Sequence, residues 1–192
     1  YQIEQFRRPE FEVTARPESS EPFVLGDGLT LAVDANYYAG GPLPDAPVTW
    51  QVSASAATYA PPGWDRYSFG RWTPWWLRGG GYGYGYGYDA YSDIGWQPNS
   101  EQSATFTGRT DGGGSDYLHV DIAELASDQA GYPIAVSTQA SVTDLNRQTW
   151  AATTSQVVHP AGVYVGLAAD ATFVDAGDPL VGRVKALGGT CS

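Results

Sequence analysis

Apolar and polar residues alternate with a period of two along most of this chain, the pattern of strands with one face turned to a core. Pro9 fixes its own φ and keeps Arg8 out of the helical region, so the chain enters extended, with Phe11 and Val13 on one face. Leu29, Leu31, Val33 and Ala35 form a second such face. Their run stops at Tyr37-Tyr38, followed by Gly40-Gly41-Pro42, where a ladder cannot continue. Val48, Trp50, Val52 and Ala54 share the next face, Ala104 and Phe106 fall in register within a Thr/Ser-rich run over 101–108, and Leu118, Val120 and Ile122 alternate over 117–122. Segments 134–142 and 148–158 read as a long antiparallel pair across the polar turn Asp144-Leu145-Asn146-Arg147. Helical spacing is confined to one or two turns within 122–130. These elements predict an all-β fold, an antiparallel Ig-like sandwich of about seven strands. Phe11, Val13, Leu31, Val33, Trp50, Val52, Leu118, Val120 and Val136 should point inward.

Two breaks divide the chain. His159-Pro160-Ala161-Gly162 interrupts pairing, and a new alternating strand starts at Val163, which puts a first domain at 1–160 and the truncated start of a second at 161–192. The second break is a long insertion at about 59–100. It holds Trp64, Trp72, Trp75, Trp76 and Trp96, with Arg66, Arg71 and Arg78, and the tract Gly79 to Tyr88, in which Tyr82, Tyr84, Tyr86 and Tyr88 alternate with glycine. An extended Gly-Tyr tract would place its tyrosines on one face and bare backbone on the other. Three readings of these aromatics stay open: a lid folded back on the sandwich with arginines stacked on indoles, a contact surface for a neighbouring domain, or a tryptophan platform for sugars. The candidate interface residues are Trp64, Trp72, Trp75, Trp76, Tyr82, Tyr84, Tyr86 and Tyr88.

Composition narrows the function classes. The 192 residues carry 21 acidic against 10 basic groups, a formal charge of -11, which disfavours phosphate backbones and anionic membranes as partners. No apolar run approaches the ~20 residues that span a bilayer, and direct membrane contact is not expected. Cys191 is the single cysteine, so no internal disulfide can form.

Little in the sequence suggests chemistry. His119 points away from the apolar face of its strand and reads as a solvated residue. His159 lies in the presumed linker, and neither has the setting of a catalytic or metal-binding histidine. Asp111-Gly112-Gly113-Gly114-Ser115-Asp116 lacks the alternating acidic ligands and terminal glutamate of a calcium loop and reads as a surface turn. Asp170, Asp175 and Asp178 serve turns and strand edges better than a cation. No catalytic residue, cofactor or metal is expected.

The two ends of the sequence carry a resemblance. Pro9, Phe11, Val13, Ala35, Tyr37 or Tyr38, Gly40 or Gly41, Pro42 and Val48 resemble the entry of a macroglobulin domain of the α2-macroglobulin family. The lead-in Arg7-Arg8-Pro9 and the run Tyr59-Ala60-Pro61-Pro62-Gly63-Trp64 look closer to its bacterial branch, and Val163 to Leu180 looks like the start of the next such domain. The resemblance implies a macroglobulin-like β-sandwich, the third of its chain, plus the opening of its successor. It also implies a parent protein that traps endopeptidases: a protease cuts a bait segment, the stacked domains rearrange, and the protease is enclosed. Its implied partners are neighbouring macroglobulin domains and, through the whole parent, target proteases. The implied location is periplasmic or cell-surface. The Cys-Gly-Glu-Gln thioester of many members is not matched by Thr190-Cys191-Ser192, so this stretch would be scaffold and not an enzyme. An adhesive or glycan-binding sandwich that uses the aromatic insertion is the alternative.

Overall fold

The computed structural model describes residues 10–70, 101–129, 131–171 and 175–188. The chain divides into two compact units, one formed by Tyr1–Ala57 with Glu101–Pro160, the other by Thr58–Ser100 with Ala161–Ser192.

In the first unit, β1 (Phe11–Pro17), β3 (Leu29–Tyr37) and β7 (Ser115–Val120) form an antiparallel sheet in the order β1-β3-β7. A second sheet has the order β2-β9-β8-β4-β6, from β2 (Phe23–Val24), β9 (Thr149–His159), β8 (Ile134–Thr143), β4 (Pro47–Ala56) and β6 (Gln102–Arg109). The inner faces of the two sheets make one core. Leu29, Leu31, Val33 and Ala35 of β3 lie against Val48, Trp50, Val52 and Ala54 of β4 and Ile134, Val136 and Val142 of β8, all buried. Period-two alternation places them there: every second residue faces in, and a shift of one position would expose the whole set. Of the residues expected inside, Val13 and Leu118 are half-buried against this core and the others are buried.

Three local features depart from the expected pattern. The two residues of β2 pair in parallel with Val158 and His159, adding a short parallel edge to an otherwise antiparallel sheet. Ile122 opens a one-turn helix, α1 (Ile122–Leu125), and does not extend β7. Asp121 stops the strand because its carboxylate caps the N–H groups of Ala123 and Glu124. His159 is not a linker residue: it ends β9, is buried, and its carbonyl accepts the Leu25 N–H.

The β8–β9 hairpin forms as its sequence suggests. Asp144 accepts the Gln148 N–H at 2.7 Å, and Arg147 takes a left-handed φ of 60°. On the outward face of the larger sheet the register aligns side chains in rows. Thr105, Gln51, Gln139 and Thr153 make one row, and Ser103, Ser53, Ser137 and Ser155 the next. Thr107, Thr49, Ser141 and Ala151 lie on the other side of the first row.

The second unit contributes one sheet in the order β11-β10-β5, from β11 (Gly182–Gly188), β10 (Val163–Ala169) and β5 (Ser68–Phe69). The sequence places 59–100 as an insertion of the first domain. In the structure its described part, through β5, pairs with β10 at Phe69–Gly166 and Ser68–Leu167.

Candidate interaction surface

Several polar side chains of the first unit hold its strands and turns together. Asp116 faces inward opposite Val33, and its carboxylate accepts the indole N–H of the buried Trp50 at 2.8 Å, joining the two sheets. Thr110 donates to the Leu43 carbonyl at 2.6 Å and accepts the Ala46 N–H at 2.9 Å, closing the corner before β4. Arg109 and Asp45 pair beside it on the surface. The hydrogen bond from Arg109 and its positive charge hold the Asp45 carboxyl below its usual range. Asp111 accepts the N–H groups of Gly113 and Ser115, the geometry of a turn. His119 is exposed and shares a hydrogen bond with Thr30, its ring lying where a side chain at Gly28 would go. Burial pushes the His159 imidazole below its usual pKa, against an opposing pull from Glu21. Among the described residues no group of three acidic, histidine or cysteine side chains is placed to hold a metal.

The aromatic segment of the second unit is the part the sequence marks for contact. Of the eight candidate interface residues only Trp64 is described; Trp72, Trp75, Trp76, Tyr82, Tyr84, Tyr86 and Tyr88 lie outside the described residues. Gly63, at a φ of 80°, turns the chain into Trp64, and the Trp64 carbonyl accepts the Tyr67 N–H. Their rings meet edge to face with centroids 5.4 Å apart. Lys185 lies over this indole, with its ammonium 5.0 Å from the ring centroid. Tyr59 packs on Tyr164 at 5.1 Å, and burial raises the Tyr164 hydroxyl to about 12. Phe69 crosses β10 over Gly166, where a Cβ would sit 2.6 Å from its ring, so only glycine admits that approach.

These contacts cover one face of the sheet. On the other, cross-strand pairing puts Val165 beside Ala186 and Leu167 beside Val184, with Val163 in line. Val163, Val165, Leu167 and Val184 are 56%, 55%, 59% and 67% exposed, a contiguous apolar strip on a sheet whose opposite face is clothed in aromatics. Sequence periodicity identifies the strip as one face of β10. It does not say which face the 58–70 segment covers. Asp170 pairs with Arg183 at 3.1 Å, and the backbone N–H of Asp178 closes a turn on the Asp175 carbonyl.

Comparison with known proteins gives fold likenesses. Trypsin-activated α2-macroglobulin from Escherichia coli superposes with a TM-score of 0.58 at 15% identity, over 85% of this chain and 10% of that one. Methylamine-reacted Salmonella α2-macroglobulin gives 0.56 at 17% identity, over 94% of this chain and 10% of the other. In sequence, an α2-macroglobulin homolog from the cyanobacterium Nostoc is 24% identical over 75 residues, 39% of this chain. "Circularly permutated Ras protein 2" of Dictyostelium discoideum is 26% identical over 170 residues, 87% of this chain. The chain spans 4% of the length of each of these two relatives. No family model matches it. The fold is that of the bacterial α2-macroglobulin structures, over most of the chain.

Proposed function

We propose that this chain is a scaffold segment of a bacterial α2-macroglobulin-type protease trap: a macroglobulin-like sandwich followed by the opening strands of its successor. The observation that carries the reading is the likeness of fold over 85% and 94% of the chain to two bacterial α2-macroglobulins. The residues agree with it. The Asp116 carboxylate, the Thr110 hydroxyl and the Trp50 indole N–H hold strands and corners together, which suits a mechanical part better than a reaction centre. The exposed strip of β10 and β11 suits a sheet that further strands of the parent would cover, and residues 161–192 are accordingly the start of a second domain. Trp64 and the aromatic segment around it form a contact surface for a neighbouring macroglobulin domain.

On this reading the parent encloses an endopeptidase after bait cleavage, in the periplasm or at the cell surface, and the segment itself is not an enzyme. Among the described residues no helix is long and apolar enough to cross a membrane. The test compares the parent with the isolated chain. Incubated with a bait-cutting endopeptidase, the parent should suppress digestion of a large protein while hydrolysis of a small peptide amide continues. The isolated chain should change neither. A stoichiometric block of small-substrate hydrolysis by the isolated chain would defeat the reading, because an enclosed protease stays open to small substrates and only a directly inserted inhibitory loop would stop them.

A further inference from the structure

The outward face of β4, β6, β8 and β9 has a composition unlike the rest of this acidic chain. Protein surfaces are usually about 25–35% charged. Across the three rows set by the register, every position is serine, threonine, glutamine or, once, alanine. The charges lie at the margins: Arg109 is held by Asp45, and Glu101 stands at the start of β6. A shallow depression of about 330 Å³ opens in this field; Glu101 is part of its lining, and its uncharged polar lining has Gln51 and Gln139 side by side, with Ser53, Ser137, Thr105 and Thr153 around them. Gln139 reaches Ser141 at 3.4 Å; among the described residues the other five make no side-chain hydrogen bond within the protein. Their donors and acceptors are free for an outside partner.

We propose that this depression binds a neutral polyhydroxylated ligand, an uncharged oligosaccharide lying across β4 and β8. Hydroxyl and carboxamide groups both donate and accept, and sugar hydroxyls do the same, so each contact can form in either polarity. Strands ~4.8 Å apart and same-face residues ~6.8 Å apart along a strand give a regular array of such groups, wide enough for more than one sugar ring. Among the described residues an anionic ligand finds no free cation on the face, and it meets a chain of charge -11. A cationic ligand would meet a single carboxylate, Glu101, with none in the three rows themselves, and an apolar ligand finds little apolar surface. Among the described residues no aromatic ring lines the depression, so affinity is weak, with a Kd on the order of 1 mM. None of its lining residues belongs to the tryptophan-bearing segment at 58–70, and binding here would leave the scaffold reading intact.

The test is amide shift mapping on the full isotope-labelled chain, titrated with maltohexaose and cellohexaose as neutral probes and an oligogalacturonate as the anionic one. The expected result is saturable shifts confined to 49–53, 103–107, 137–141 and 151–155 with one or both neutral probes, and none with the anionic one. The double variant Gln51→Ala/Gln139→Ala, whose side chains are exposed, should weaken that binding at least about fivefold with an unchanged circular dichroism spectrum. Absence of shifts up to about 20 mM of both neutral probes, shifts confined to 58–70, equal binding of the oligogalacturonate, or full binding by the double variant would each overturn the proposal.

Discussion

Gly108→Ala tests how the two sheets of the first unit are joined. The φ of Gly108 lies outside the left-handed region, so alanine meets no backbone penalty there, and in a strand it is favoured over glycine by about 0.5–1 kcal/mol. Its Cβ, however, would stand 2.2 Å from Asp116 Oδ2 and 2.8 Å from Cγ. The carboxylate has to leave, and it can, because Asp116 is half-buried and sits on an edge strand. What remains behind is the indole N–H of Trp50, whose side chain is 1% exposed and whose acceptor was that same oxygen. A buried donor stripped of a charged acceptor costs about 1.5–3 kcal/mol. The net loss is therefore about 1–2 kcal/mol, a fall in melting temperature of roughly 4–8 °C for a domain of this size.

Asp116→Ala should lose a comparable amount by itself, since it orphans the same N–H. The decisive variant is the double one. With the carboxylate already gone, Gly108→Ala should cost nothing or regain its strand preference, giving a coupling energy of about 1.5–2 kcal/mol in a double-mutant cycle. Urea denaturation followed by far-ultraviolet circular dichroism measures the four stabilities, and the near-ultraviolet spectrum reports the Trp50 environment. Additivity of the two changes to within about 0.5 kcal/mol would refute the reasoning, because the glycine would then be required for something other than room for Asp116.

Three further outcomes follow from the same geometry. Thr110→Val keeps the shape of a side chain that is 4% exposed but leaves the Ala46 N–H and Leu43 carbonyl without their partner, and thermal denaturation should register a loss of about 1–3 kcal/mol. His159 has its folded pKa below the ordinary 6.5. Between these two values the unfolded chain binds more protons, so stability rises with pH across the window and falls as the solution is acidified below 6.5. His159→Gln should flatten that part of the melting-temperature profile, and an unchanged profile would exclude the burial of a neutral imidazole. Replacing 58–100 with a short glycine-rich turn should leave the first unit folded, because Ala54 already pairs with Gln102 and the ends to be joined are adjacent. Closing a loop about tenfold shorter favours the fold by about 2 kcal/mol, and collapse of its cooperative melt would show that the segment belongs to the core.

Sequence periodicity located most of the first sandwich because the physics is local. Leu31, Val33, Trp50, Val52 and Val136 alternate with polar residues, and each is buried. What was not legible depends on partners distant in the chain. Asp116 lies on the same period-two face as Leu118 and Val120, which signals an inward carboxylate, but nothing near it in the sequence points to Trp50. His159 looks like part of a Pro/Gly linker, and only the pairing of β2 with β9 shows why it is buried. Lys185, which lies over Trp64, is the single lysine of the chain, 121 positions later. The concentration of aromatics in 59–100 was legible, but that Tyr59 packs on Tyr164 and Phe69 on Gly166 of β10 was not. The hydroxyl rows escaped notice because each strand alone is an ordinary polar face; their freedom from charge emerges only when four strands are aligned.

The second unit poses a different energetic problem from the first. Among the described residues its sheet has two long strands and a two-residue third, little more than a hairpin, which is marginal by itself. One face is stabilised by Phe69 over Gly166, Tyr59 on Tyr164 and Lys185 over Trp64. On the other, four aliphatic side chains keep more than half of their surface in water. Full burial of such a side chain contributes about 1.5–3 kcal/mol, so covering the strip would add roughly 3–6 kcal/mol, comparable with the lower end of the whole stability of a domain, 5–15 kcal/mol. A sheet with that much unrealised burial depends for its order on what is laid against it. In a protein assembled from successive sandwiches, as proposed for the parent of this chain, the piece that completes the sheet would also transmit any rearrangement to it. The strip joining β10 and β11 is accordingly the place where a charged substitution such as Val165→Glu should leave the first unit untouched and yet weaken the parent trap.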